Sequence, residues 1–178
     1  MDILTSFDVM GLLLKKEGLR CVLIGGFAVN FYRTTRQTAD IDFLIAQEDF
    51  PRFKSSLENM DFKVVWLDRV FARFHSEAQK HMDIDFMFTS EETLRGILQD
   101  AKKVSIAGNE FLVPSLYHLI ALKLHSIKHN EKREYKDLMD ILNLVKNNQI
   151  QASSDSFKEL CLKYGTPLLY EKITGWIK

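Results

Sequence analysis

Two aspartates separated by one apolar residue, Asp40-Ile41-Asp42, open the apolar run Phe43-Leu44-Ile45. Side chains alternate between the faces of an extended strand, so both carboxylates share a face, roughly 7 Å apart at the backbone. Two such charges repel, and burying either without a partner is costly. Mg²⁺ resolves the conflict best, because it is a hard ion that takes carboxylate and phosphate oxygens. A second acidic pair, Asp83 and Asp85, is embedded in the apolar stretch Met82 to Phe88. If the two strands are neighbours, three carboxylates converge on one site. Two-metal phosphoryl chemistry uses such a set to hold ions about 3.5 to 4 Å apart. Asp85 is the choice for the third ligand because Phe86 to Phe88 continue it as Phe43 to Ile45 continue Asp42; Asp83 shares its face and is the alternative.

Gly25-Gly26 stands fifteen residues before Asp40. Glycine lets a backbone approach phosphates closely, and a following helix offers unpaired N–H donors. A triphosphate between that turn and the metals is the arrangement this spacing predicts.

The elements that must hold these groups can be read from periodicity. Ile3, Phe7, Met10, Leu13 and Leu14 predict a first helix stopped at Gly18. Cys21 to Ile24 form a short buried strand that ends at the glycine turn, and a brief helix follows from Phe27 to Tyr32. Ile41 to Ile45 make the next strand, and a surface helix over 49–60 is entered through Pro51. Phe62 to Leu67, Val70 to His75 and Met82 to Phe88 are three further strands at hairpin spacing. Ser90 caps a helix to Ala101. Val104 to Ile106 and Phe111 to Val113 flank a hairpin turn, and helices follow from Pro114 to Ile127 and from Glu131 to Val145. The fold class is thus α+β, a mixed sheet flanked by helices with a helical C-terminal half. Residues 1–103 read as the core with the sheet and 104–178 as a mainly helical part, the two packed as one compact unit.

The 24 basic residues equal the 24 acidic ones, so no global field draws the molecule to nucleic acid or a membrane. No apolar stretch reaches the roughly 20 residues that span a bilayer. Asp2 and Asp8 stand where a basic leader would be, and Cys21 and Cys161 read as buried reduced thiols. A cytoplasmic protein with no membrane partner is expected.

Ile24-Gly25-Gly26-Phe27-Ala28 followed by Arg36-Gln37-Thr38-Ala39-Asp40-Ile41-Asp42 resembles the signature of the nucleotidyltransferase superfamily of polymerase-beta-like fold. It is similar to the branch that contains the abortive-infection toxins, whose partners are antitoxins. Val113-Pro114-Ser115-Leu116, Leu122 to His125 and Lys136 to Ile141 resemble the same branch, so the likeness runs from Cys21 to Val145. The resemblance implies phosphate contacts at Gly25 and Gly26, metal at Asp40, Asp42 and Asp85, and nucleotide phosphates on Lys123, with Lys136 and Asp137 in support. Arg36 and Thr38 precede the metal strand, where they contact the nucleotide or shape the loop. The branch carries an arginine soon after the lysine helix; this chain has Ile127-Lys128-His129-Asn130 there and Arg133 later.

Lys123 falls on a helical stripe with Leu116, Leu119, Ile120, Leu124 and Ile127, where an ammonium needs an anionic partner. A phosphate or Asp137 can serve, or the head can reach water along its stem. Lys136 and Asp140 have the spacing of a helical ion pair. His125 and His129 lack the glutamate and third ligand of a helical zinc site.

The expected enzyme transfers a nucleotide monophosphate from a Mg-NTP to an acceptor hydroxyl, an RNA 3′ end, a protein or a small antibiotic-like molecule, with a toxin role and an antitoxin partner among the possibilities. The competing reading is a nucleotide-binding regulatory module of the same fold that does no chemistry.

Overall fold

The structure, a computed structural model, describes residues 4–79 and 81–177; Asp2 and Ile3 lie outside them. The chain divides into two compact units, one of residues 1–28 and 37–114, the other of residues 29–36 and 115–178. Residues 104–113, read with the helical part by the sequence pattern, fall in the first unit with the rest of their hairpin.

The first unit opens with α1 (Ser6–Glu17), fixed at its start by a capping box. The Thr5 hydroxyl accepts from the Asp8 backbone N–H, the Asp8 carboxylate accepts from the Thr5 N–H, and Gly18 closes the helix. Strand β1 (Val22–Leu23) leads into α2 (Gly25–Phe31), and β2 (Asp40–Ala46) follows. Pro51 lies in the first turn of α3 (Phe50–Glu58). Strands β3 (Lys63–Leu67), β4 (Phe71–His75) and β5 (Asp83–Thr89) come next, then α4 (Glu91–Leu98), whose N-terminus Ser90 caps by accepting from the Thr93 N–H.

Five strands form one mixed sheet in the order β1-β2-β5-β4-β3. Strands β2 and β5 are parallel neighbours, and the remaining pairs are antiparallel. Alternation gives the sheet two different faces. Ile41, Phe43, Ile84, Phe86, Ala72 and Phe74 point to the buried side and are fully enclosed. Phe53 packs its ring 5.0 Å from Phe86, and Phe50 lies 4.8 Å from Phe88, so α3 covers that side with aromatic contacts. The other side carries the acidic residues. A two-stranded hairpin, β6 (Lys102–Ile106) and β7 (Asn109–Val113), completes the unit, with Phe111 between Phe7 and Phe43.

The second unit is helical: α5 (Leu116–His129), α6 (Glu134–Asn147), α7 (Asp155–Tyr164) and α8 (Pro167–Trp176). Helix α5 starts two residues after Pro114 because Ser115 takes the cap, its hydroxyl accepting from the His118 N–H. A short 3₁₀ turn capped by Asn130 occupies 131–133, which delays α6 to Glu134. Helices α7 and α8 extend beyond the last helix read from the pattern, and each has a plain start signal. Ser154 caps the first, and Thr166 followed by Pro167 opens the second. Leu119, Ile120, Leu124, Ile141, Leu144, Val145, Phe157, Cys161 and Ile173 form this unit's core. Residues 29–36 are tied to it by the Asn147 and Asn148 side chains, which donate to the Arg33 and Tyr32 carbonyls at 3.0 Å each.

Candidate active site on the sheet face

The parallel register of β2 and β5 sets Asp40 beside Asp83 and Asp42 beside Asp85. Two rows of polar side chains therefore cross the exposed face of the sheet. One runs Lys63, His75, Asp83, Asp40; the other runs Trp66, Arg73, Asp85, Asp42. A bulge between Val64 and Trp66 shifts the register of the edge strand by one residue, so that Trp66 comes opposite Arg73.

Asp40, Asp42 and Asp85 each offer a carboxylate oxygen within 4.8 Å of the others. An all-oxygen set from three aspartates suits a hard divalent cation such as Mg²⁺. Asp85 is buried at 2% exposure, while Asp40 and Asp42 are half-buried. Burial pushes the Asp85 carboxyl above its ordinary value, against the opposing pull of the hydrogen bond and charge of Arg73.

Arg73 grips this cluster. Its Nε donates to Asp85 Oδ1 at 2.7 Å and its Nη2 to Asp85 Oδ2 at 2.6 Å, a bidentate fork, with a further 3.2 Å contact from Nη2 to Asp40 Oδ2. The hydrogen bond to Asp85 raises the guanidinium's own affinity for its proton. Sequence reading passed over Arg73, because only the β4–β5 register reveals that it faces Asp85. The visible signal was an arginine in an otherwise apolar strand one hairpin away from the acidic pair.

The glycine turn is built against the same carboxylates. Gly25 has φ +64°, a left-handed conformation that glycine adopts at no cost, and a Cβ there would fall inside the Asp42 carboxylate. A Cβ on Gly26 would come within 2.6 Å of the Thr38 Cβ. Thr38 in turn donates from Oγ1 to Asp40 Oδ1 at 3.0 Å. The structure thus brings Gly25, Gly26, Thr38, Asp40, Asp42 and Asp85 together. Asp83 separates from Asp85 in surroundings: its Oδ1 lies 2.6 Å from His75 Nδ1.

The remaining candidates sit in the helical unit. Lys123 is buried at 5% exposure, its Nζ 3.1 Å from Asp137 Oδ1 and 2.6 Å from Asp140 Oδ2. Arg36 Nη1 donates to Asp140 at 2.9 Å, and Arg133 Nε to Asp137 at 2.9 Å. Burial pushes the Asp137 carboxyl up, but the Arg133 hydrogen bond and the charges of Lys123 and Arg133 outweigh it and hold the group below its ordinary value. Asp140, spaced as a partner for Lys136, turns inward to Lys123 and Arg36 because a buried ammonium attracts it more strongly than an exposed helical neighbour can; Lys136 is exposed. Cys21 and Cys161 are buried free thiols, and burial raises the Cys161 thiol to about 12. Among the described residues no helix is long and apolar enough to cross a membrane.

A sheet of this order, with a glycine turn and acidic strands side by side, defines a nucleotidyltransferase fold. ANT(2″)-Ia in complex with adenylyl-2″-tobramycin superposes with a TM-score of 0.63 at 14% identity, over 88% of this chain and 92% of that one. The lincomycin-bound lincosamide antibiotic adenylyltransferase LnuA gives 0.52 at 15% identity, over 74% and 89%. An antigenic nucleotidyltransferase-like protein from Paracoccidioides brasiliensis gives 0.56 at 14%, over 87% and 83%. No curated protein sequence matches. Residues 8–174 match the family described as "Uncharacterised nucleotidyltransferase", and the chain belongs to that family.

Proposed function

We propose that the chain transfers a nucleotide monophosphate from a Mg-NTP to an acceptor hydroxyl. The observation that carries this reading is the gathering of three aspartate carboxylates from two strands within 4.8 Å of one another, beside a glycine turn packed on one of them. Asp40, Asp42 and Asp85 would hold Mg²⁺, which supplies positive charge at the α-phosphate and the leaving pyrophosphate. Thr38 keeps Asp40 oriented, and Arg73 keeps Asp85 oriented. Gly25 and Gly26 let the turn pack close against Asp42 and Thr38, and would take the phosphate contacts. In the helical unit Lys123 is buried against Asp137 and Asp140, and Lys136 is exposed.

The acceptor reading inherited from the toxin-like branch is an RNA 3′ end or a protein hydroxyl in the cytoplasm, with an antitoxin as regulator. A second reading, a small polyhydroxylated molecule, is supported by solved structures of the same fold that hold adenylyl-2″-tobramycin and lincomycin. Incubation with each of four α-labelled NTPs, Mg²⁺, and tobramycin, lincomycin, total RNA or cell extract separates the acceptors. Label that depends on Asp42 in one fraction is expected. Wild type and Asp42→Ala giving equal labelling everywhere would reject transfer chemistry altogether.

A further inference from the structure

Trp66 lies on the acidic face of the sheet, opposite Arg73, and is 60% exposed. Resting on the transferase reading above, we infer that its indole is the platform for the acceptor, and that the ring it carries is an amino sugar. A single exposed apolar side chain is ordinary. Three observations set Trp66 apart.

First, the bulge aims it. Val64 pairs with Phe74, so in a regular ladder Val65 would stand opposite Arg73; the extra residue puts Trp66 there instead. Arg73 forks onto Asp85 and touches Asp40, which ties that position to the triad through one side chain. At the usual strand spacing Trp66 stands roughly 10 Å from Asp85 and roughly 14 Å from Asp42 across the sheet. An oligosaccharide-sized acceptor covers that gap, one ring on the indole and the reacting hydroxyl at the α-phosphorus.

Second, the indole is held. Its Nε1 donates to Asp68 Oδ2 at 3.1 Å, and Asp68 Oδ1 accepts from the Val70 N–H at 2.9 Å. The bond takes the indole at its edge and leaves ring surface open to a ligand. Beside it on the same face, Phe71 lies opposite Met87, which is 37% exposed, and the Arg73 guanidinium stands 6.0 Å from the Phe71 ring centroid. Trp66, Phe71 and Met87 form an apolar shelf next to the carboxylates. The C–H face of a sugar ring packs on such a surface, and ammonium groups add cation–π attraction.

Third, charge selects the occupant. The two polar rows and Asp68 hold five carboxylates, Asp40, Asp42, Asp68, Asp83 and Asp85, against Lys63, His75 and Arg73. The Val70 N–H and the indole keep the Asp68 carboxyl below its ordinary value, so it is ionised at neutral pH. Even with His75 protonated the set is anionic, and a bound NTP adds negative charge. An ammonium-bearing sugar is drawn to such a face, and a phosphate chain is repelled from it.

The test titrates tobramycin and lincomycin, both cationic and sugar-bearing, and total RNA into the full chain carrying Trp176→Phe, where Trp66 is the sole tryptophan. Its emission should change with tobramycin or lincomycin and stay unaltered with RNA. By calorimetry, Trp66→Ala should weaken that binding about 10- to 30-fold, and KM for the same acceptor should rise in step, with KM for ATP and kcat little changed. Trp66→Phe should recover most of the loss, which separates a lost ring from a damaged fold. Asp68→Asn should cost less, and most at low salt. If neither probe binds, or if Trp66→Ala and wild type bind it equally, the platform is overturned, and Asp42-dependent transfer to any acceptor leaves the transferase reading standing. A response to RNA alone overturns the amino-sugar assignment. Binding on Trp66 with no transfer by wild type to any acceptor supports the platform and overturns the transferase reading.

Discussion

The molecule holds two clusters of carboxylates and cations, and they are balanced in opposite senses. On the sheet, Asp40, Asp42, Asp85 and Arg73 carry a formal charge of −2 as a set. Among the helices, Asp137, Asp140, Lys123, Arg36 and Arg133 carry +1. Both contain a nearly inaccessible aspartate, Asp85 at 2% and Asp137 at 1%. Burial alone therefore does not mark the reactive one. What separates them is whether neighbouring side chains already supply the positive charge. By the charges of these groups the sheet set is short of positive charge, as a divalent ion would supply, whereas the helical set carries a slight positive excess.

The sharpest break of this contrast is Asp42→Ala. On the proposed reading, removing this carboxylate from the charge-deficient cluster should cut transfer by more than about 10⁴-fold, on the order of 5 kcal/mol at the transition state. It relieves repulsion at the same time, so thermal unfolding without metal should be unchanged or slightly later. Lys123→Met is the mirror experiment. It strips the buried ammonium from two carboxylates and should cost about 3 to 5 kcal/mol of stability in urea titration. Equal stability losses for the two variants would erase the distinction between the clusters.

How much of this was legible beforehand follows from the range of the signals. The aspartate triad and the glycine turn were readable because strand alternation and a fifteen-residue spacing are local properties. The adjacency of β2 and β5 was stated as a condition, and the register meets it. Arg73 was invisible because its meaning depends on which residue of β5 it opposes, and that is set by a hairpin rather than by either strand alone. The partners of Lys123 were half visible. Asp137 lies 14 residues away and was named as a possible partner. The tie from Arg36 to Asp140 spans 104 residues, beyond any periodic pattern. Helices α7 and α8 carry clear caps at Ser154 and Thr166 but bury only two residues each, Phe157 and Cys161, and Leu169 and Ile173, too few for an apolar stripe to mark them.

Arg73→Gln sharpens the comparison further. The guanidinium is 37% exposed, so its fork to buried Asp85 should be discounted to about 1 to 2 kcal/mol of stability. Saturating Mg²⁺ should recover much of that loss, because a bound ion stabilises the folded state by mass action, about 2.7 kcal/mol at one hundred times its Kd. Lys123→Met should gain no more from Mg²⁺ than wild type does. Thermal melts of both variants with and without Mg²⁺ decide the point, and equal rescue would show that the two clusters answer to the same ion.

The smallest effect is the acid limb of stability. The folded Asp137 carboxyl lies below its ordinary value, so the folded state binds its proton less readily than the unfolded chain does. Its contribution is therefore complete above the unfolded value of about 3.9 and is lost as pH falls through the folded value. Asp137→Asn should flatten stability against pH below about 4 and leave its slope between pH 6 and 8 unaltered. Because Lys123 and Arg133 hold that carboxylate, the acid limb should be the same in Mg²⁺ and in chelator. A limb that moves with Mg²⁺ would mean that metal reaches the helical cluster too, and the division of labour between the two sets of aspartates would fail.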